Sequence, residues 1–128
     1  PYVPMDKISG NQLNSNNMLE YWNKGLQKAD FIGQAAIKVE KINGPILLFS
    51  GKDDQVWPSS IMADMIEKRL ETNTFEHSFQ NIKYENAGHL ISSNPDDNTS
   101  YRTRTIKISG KDYEYEYGGN DEGDIKAK

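Results

Sequence analysis

The 128-residue sequence contains no cysteine, so no disulfide frames the fold and the composition fits a cytoplasmic protein. No apolar stretch approaches the roughly 20 residues needed to cross a bilayer, and no charged-then-apolar leader opens the chain. Charge of one sign is not concentrated either. Fifteen Lys and Arg stand against 19 Asp and Glu for a net charge of -4, and the two signs are mixed along most of the chain. That pattern carries no nucleic-acid or anionic-membrane footprint. Hydrophobic residues make up only 35%, low for a self-contained core. Pro1 stands where an initiator methionine is absent, and Asp124 to Lys128 read as a helix that has only begun. The expectation is one partial domain, a piece of something longer.

What is present is organised around residues 45 to 59. The short run Ile46-Leu47-Leu48-Phe49 reads as a strand buried on both faces, as in a parallel sheet flanked by helices. In such sheets function sits at the carboxyl ends of the strands. Asp53 and Asp54 fall at that end, in a turn opened by Gly51 and closed by Trp57-Pro58, with Pro58 suited to the first position of a helix. One of these two carboxylates is the candidate catalytic acid.

Residues 1 to 44 form a loop and helix leading in. Pro, Gly and Asn mark 1 to 14 as a surface loop, and a helix follows from Ser15 or Asn16 to about Asp30, with Met18, Leu19, Trp22 and Leu26 as its stripe. Residues 45 to 91 form a core unit. After Pro58, the spacing of Ile61, Met62, Met65, Ile66 and Leu70 predicts a helix ended by Asn73, and a second strand covers about Asn81 to Glu85. Strand, helix and strand make a βαβ unit. Residues 92 to 119 read as an inserted hairpin. It opens with turn material at 94 to 98 and continues as two alternating segments, 102 to 108 and 112 to 117, joined through Ser109-Gly110-Lys111. Tyr113, Tyr115 and Tyr117 share one of its faces. Residues 120 to 128 begin the final helix.

His89 follows the second strand, 35 residues after Asp54. If the two strands are parallel, both groups emerge at one sheet edge, where a carboxylate orients an imidazole by accepting its Nδ1 proton. That is the second half of a nucleophile, acid and histidine triad in the chain order of α/β-hydrolases. Spacing alone leaves open that Gly-Lys-Asp-Asp is a solvated turn and Gly-His a plain loop. Trp57 reads either as packing under the acid loop or as a substrate-binding wall of an acyl pocket. His77, among polar residues past a helix, reads as exposed. Gly-Gly-Asn-Asp-Glu-Gly-Asp has a calcium-like composition but not the spacing of a calcium loop, so no metal and no cofactor is expected.

From Val39 to Ile91 the chain carries Lys-Ile-Asn-Gly-Pro-Ile-Leu-Leu-Phe-Ser-Gly-Lys-Asp-Asp-Gln-Val-Trp-Pro-Ser and then Tyr-Glu-Asn-Ala-Gly-His-Leu-Ile. This closely resembles the carboxy-terminal region of the acyl-CoA thioesterase and bile acid-CoA:amino acid N-acyltransferase family, with Gly-x-Asp-Asp-x-x-Trp and the Gly-His loop unaltered. The resemblance implies the carboxy-terminal part of an α/β-hydrolase, with acyl-CoA or a related thioester or ester as substrate. It puts the acid at Asp54, three residues after the strand-ending glycine, and the base at His89. Asp53 is then expected to face solvent or its own turn. The chain departs from the family in one respect: it has neither a Gly-x-Ser-x-Gly elbow nor a cysteine, so the nucleophile is expected from a missing amino-terminal part. These residues alone are expected to be inert, and to associate with that part or with copies of themselves. Two other readings stand beside it: a dienelactone-hydrolase-like or peptidase-like esterase, which shares the acid and histidine placement, and a non-catalytic hydrolase-like binding module.

Overall fold

The computed structural model describes residues 15–91 and 102–127. The expected surface loop at 1–14 and the expected turn at 94–98 lie outside the described residues. The architecture is mixed α/β, with a parallel two-stranded sheet and a separate antiparallel hairpin.

Helix α1 spans Ser15–Leu26, and α2 spans Ala29–Ala35. The sequence predicts one helix to about Asp30. The structure instead breaks it at Gln27 and Lys28, whose amides bond back to the Lys24 and Gly25 carbonyls in tight turns. A single 3-10 turn, Val39–Lys41, follows and buries Val39. Strand β1, Ile46–Gly51, pairs in parallel with β2, Phe79–Tyr84, with Ile46 opposite Phe79 and Gly51 opposite Tyr84. The second strand thus begins two residues earlier than its pattern suggested.

Helix α3, Ser59–Thr72, crosses between the two strands. Pro58 is its N-cap rather than its first helical residue, and its carbonyl accepts from Met62 N at 2.9 Å. Ala63 and Leu70 are buried and Ile61 lies outside the contact at 51% exposure, so only part of the apolar stripe packs. Polar groups complete the seam between helix and sheet. Asn81 Nδ2 donates to Asp64 and Glu67, and Lys83 Nζ reaches Asp64 at 2.7 Å. The Lys83 ammonium draws the Asp64 carboxyl below its ordinary value. At the far end Arg69 grips Glu40 with two donors.

Residues paired in register share a face, so Leu48 and Ser50 lie with Asn81 and Lys83 toward α3. The opposite face carries Leu47 and Phe49, 53% and 52% exposed, with Phe49 stacked on Tyr84. The expectation that β1 is buried on both faces is therefore incorrect for these residues: α3 covers one face, and no described element covers the other. The exposed apolar pair is Leu47 and Phe49, not the alternate positions Ile46 and Leu48, because the pleat turns those two toward the helix.

Strands β3, Thr103–Ile108, and β4, Lys111–Glu116, form the hairpin. Its loop is two residues, Ser109 and Gly110, both at positive φ. That is the type I′ arrangement whose twist suits a tight hairpin, and Lys111, expected in the loop, is paired with Ile108. β4 packs on α1. The last helix, α4, spans Asp121–Lys126, with Asn120 Oδ1 accepting from Gly123 N at 2.8 Å as its N-cap.

Candidate active site

The parallel pairing brings the ends of β1 and β2 to one edge, and the loops that leave them touch. Gly51 sits against the Ala87 and Gly88 carbonyls so closely that a Cβ there would collide with both. Asp53 N donates to Ala87 O at 3.0 Å. The acid turn and the histidine loop are thereby stitched together by backbone before any side chain is considered.

Asp54 is 6% exposed and fully engaged. Its Oδ1 accepts from Val56 N at 2.9 Å and from Trp57 N at 3.1 Å, the local pattern by which an aspartate folds its own turn. Its Oδ2 lies 3.1 Å from Nδ1 of His89. With one oxygen spent on the turn, the other has a fixed direction, toward the imidazole. His89 is packed on two sides. Trp57 meets it edge-on with ring centres 5.3 Å apart, and Tyr117 stacks at 6.0 Å. Its own amide donates to Tyr117 O at 2.8 Å. Among the described residues no group bonds Nε2, the ring nitrogen turned away from Asp54.

His89, Asp54 and Trp57 line a cleft of about 480 Å³, with Phe49, Leu90 and Ile91 as its apolar wall. Trp57 is 41% exposed and leans on Trp22 of α1, ring centres 6.0 Å apart. It is a wall shared by cleft and helix rather than a residue tucked beneath the acid loop.

Asp53 departs from expectation. Its carboxylate does not face solvent or its own turn alone: Oδ2 accepts from Gly119 N at 2.8 Å, while Oδ1 takes Gln55 Nε2. Gly118, at φ 72°, passes so near that a Cβ would collide with Asp53 O. Adjacent aspartates therefore hold two different partners, the histidine and the glycine pair. In sequence the Gly-Gly segment stands out only as part of a run of calcium-like composition. In the structure it is the strap that closes over both loops, and only its two consecutive glycines, with their tolerance of positive φ, hinted at it.

His77 lies against Phe75, ring centres 5.4 Å apart, and takes no part in the cleft. Among the described residues no group of three or more His, Cys, Asp or Glu gathers as a metal site. No described helix is long and apolar enough to cross a membrane.

Residues 1–127 match the family described as BAAT / acyl-CoA thioester hydrolase C terminal. The chain belongs to that family. A 75-residue stretch is 32% identical to mouse (Mus musculus) acyl-coenzyme A thioesterase 6, covering 59% of this chain and 17% of that protein.

Proposed function

We propose that these residues are the carboxy-terminal part of an α/β-hydrolase acting on acyl-CoA thioesters, and that Asp54 and His89 are two members of its triad. One observation carries the reading: Asp54 Oδ2 stands 3.1 Å from His89 Nδ1, which commits that nitrogen to its proton and leaves Nε2 basic. The nucleophile, a serine or a cysteine, comes from chain outside these residues, which contain no elbow and no cysteine. Family membership and the likeness to a protein named as an acyl-coenzyme A thioesterase support the substrate class.

In this mechanism Nε2 of His89 takes the proton of the nucleophile as its oxygen or sulfur bonds to the thioester carbonyl carbon. The tetrahedral intermediate collapses, the carbon–sulfur bond to coenzyme A breaks, and the imidazolium returns its proton to the departing thiolate. Water then enters, gives a proton to Nε2 and attacks the acyl-enzyme. A second collapse releases the free acid and restores the nucleophile. Asp54 keeps its negative charge throughout, fixing the tautomer and stabilising the imidazolium. The cleft's apolar wall of Phe49, Leu90 and Ile91 favours an acyl chain over a polar group, and Trp57 extends that wall.

The experiment uses the full-length protein carrying these residues, assayed for coenzyme A release from short and long acyl-CoA. His89→Ala is expected to abolish turnover while the protein stays folded, and residues 1–128 alone are expected to show none. Turnover that co-purifies with residues 1–128, or that survives in His89→Ala, refutes the assignment.

A further inference from the structure

One buried carboxylate has no task in that mechanism. Asp124, on the short helix α4, is 6% exposed and sits behind the loop that carries His89. Its Oδ1 accepts from the amide of Gly88, the residue just before the histidine, at 3.0 Å. Its Oδ2 is bonded by Arg102 Nη1. Arg102 also donates to Asp121 at 2.7 Å and to the Gly118 carbonyl at 3.4 Å. The Arg102 carbonyl accepts from Tyr117 N at 2.6 Å, and the Tyr117 carbonyl in turn accepts from His89 N. Two successive amides of the histidine loop, those of Gly88 and His89, are thus held by one cluster built on Arg102.

We propose that Asp124 is a positioning residue for His89: with Arg102 behind it, its carboxylate fixes the Gly88 amide and so aims the imidazole at Asp54. This rests on the reading of His89 as the triad base. Gly88 is the most permissive residue of the loop, and the histidine ring can be only as well placed as the peptide planes on either side of that glycine. Bonds to both amides lock those planes. A carboxylate is the stronger acceptor for the purpose, since charge-assisted hydrogen bonds are roughly twice as strong as neutral ones. Burying it is tolerable because Arg102 supplies the opposite charge. Helix docking does not account for the carboxylate, because α4 is already fastened to this loop. Asn120 N donates to Asn86 O at 2.8 Å, and Gly123 packs against that same carbonyl.

The test sets Asp124→Ala against Asn120→Ala in the full-length protein. Asn120→Ala removes the α4 cap and loosens the helix while leaving the carboxylate in place. Two readouts are taken: kcat and KM for one acyl-CoA, and the NMR signal of the His89 Nδ1 proton bonded to Asp54. Asp124→Ala is expected to lower kcat about 10- to 100-fold, the scale of a misaimed catalytic group, with KM little changed and the Nδ1 proton signal lost or broadened. Asn120→Ala is expected to keep both. Equal loss in the two variants, or a wild-type signal and kcat in Asp124→Ala, overturns the proposal. If Asp124→Ala does not fold, Asp124→Asn decides, since it keeps an oxygen for Gly88 but turns an amide toward Arg102. A partial loss of kcat and a shifted signal then support the brace, and wild-type values overturn it. Should His89→Ala retain turnover, the triad reading falls, yet the Nδ1 signal still decides whether Asp124 aims the ring.

Discussion

Replacing Asp54 by Asn separates the two neighbouring carboxylates with almost no change in shape. An asparagine there keeps an oxygen to accept from Val56 N and Trp57 N, so the turn retains both of the bonds that Asp54 Oδ1 now makes. The amide nitrogen takes the place of Oδ2 and donates toward His89 Nδ1. The histidine must then carry its proton on Nε2, where it cannot accept one from a nucleophile. The same exchange in serine proteases costs about 10⁴ in kcat, or about 5.4 kcal/mol of transition-state stabilisation. Asp53→Asn also keeps an oxygen, for Gly119 N. Its carboxylate is exposed and bonds Gln55 and Gly119 rather than the imidazole, so stability is expected to fall by less than about 1 kcal/mol and kcat to stay within a few fold. Asp54→Ala is a poorer probe. It strands two partly buried amides at about 1–3 kcal/mol each and confounds rate with folding. The assay is kcat for coenzyme A release by the full-length protein, alongside thermal melts. A crippled Asp53→Asn beside a healthy Asp54→Asn shows that the acid is the other aspartate; two healthy variants show that this turn holds no acid of the triad.

Three further outcomes are expected. The Arg69 guanidinium beside Glu40 holds its carboxyl down at about 2, against an ordinary 4.5. This depressed value means the pair's contribution is complete above about pH 4.5 and is lost as pH falls toward 2. The melting-temperature gap between wild type and Glu40→Gln is expected to shrink across that window, and a gap unchanged from pH 6 to pH 2 counts against the pairing. Gly118→Ala forces a Cβ into Asp53 O at φ 72°. Its unfolding midpoint in urea is expected to drop by the equivalent of about 2 kcal/mol or more, and an unaffected midpoint shows that the strap can move aside. Residues 1–128 alone are expected to associate through the uncovered Leu47 and Phe49 face. Sedimentation velocity should show this weakening in Phe49→Lys, and a monodisperse monomer at high concentration refutes it.

The meeting of Asp54 and His89 was legible in sequence because parallel strands put fixed points of the chain at one edge, and because Gly-x-Asp-Asp-x-x-Trp marks its turn locally. The register between the two aspartates was legible only through the family resemblance, and Asp54 is indeed the one facing His89. What stayed hidden was long-range. Nothing near Asp53 points to Gly119, 66 residues on, and nothing near Gly88 points to Asp124, 36 residues on. Such partners are chosen by the fold, not by spacing. The overcalled helix end came from carrying the stripe of Met18, Leu19, Trp22 and Leu26 on to about Asp30, past the turns at Gln27 and Lys28 that follow α1. The misjudged strand came from its composition. Four apolar residues in a row suit two buried faces, and a sequence cannot say which covering element is supplied by these residues.

The strap has a consequence in time. The histidine loop leans on Tyr117, Gly119 and Asp124, all synthesised well after it. At about 5–20 residues per second, the 36 residues between Gly88 and Asp124 take about 2–7 s to make. Until that stretch has left the ribosome, the acid and the histidine exist without the backbone that clamps them. A chain that ends after His89 therefore has both residues present and their clamp missing.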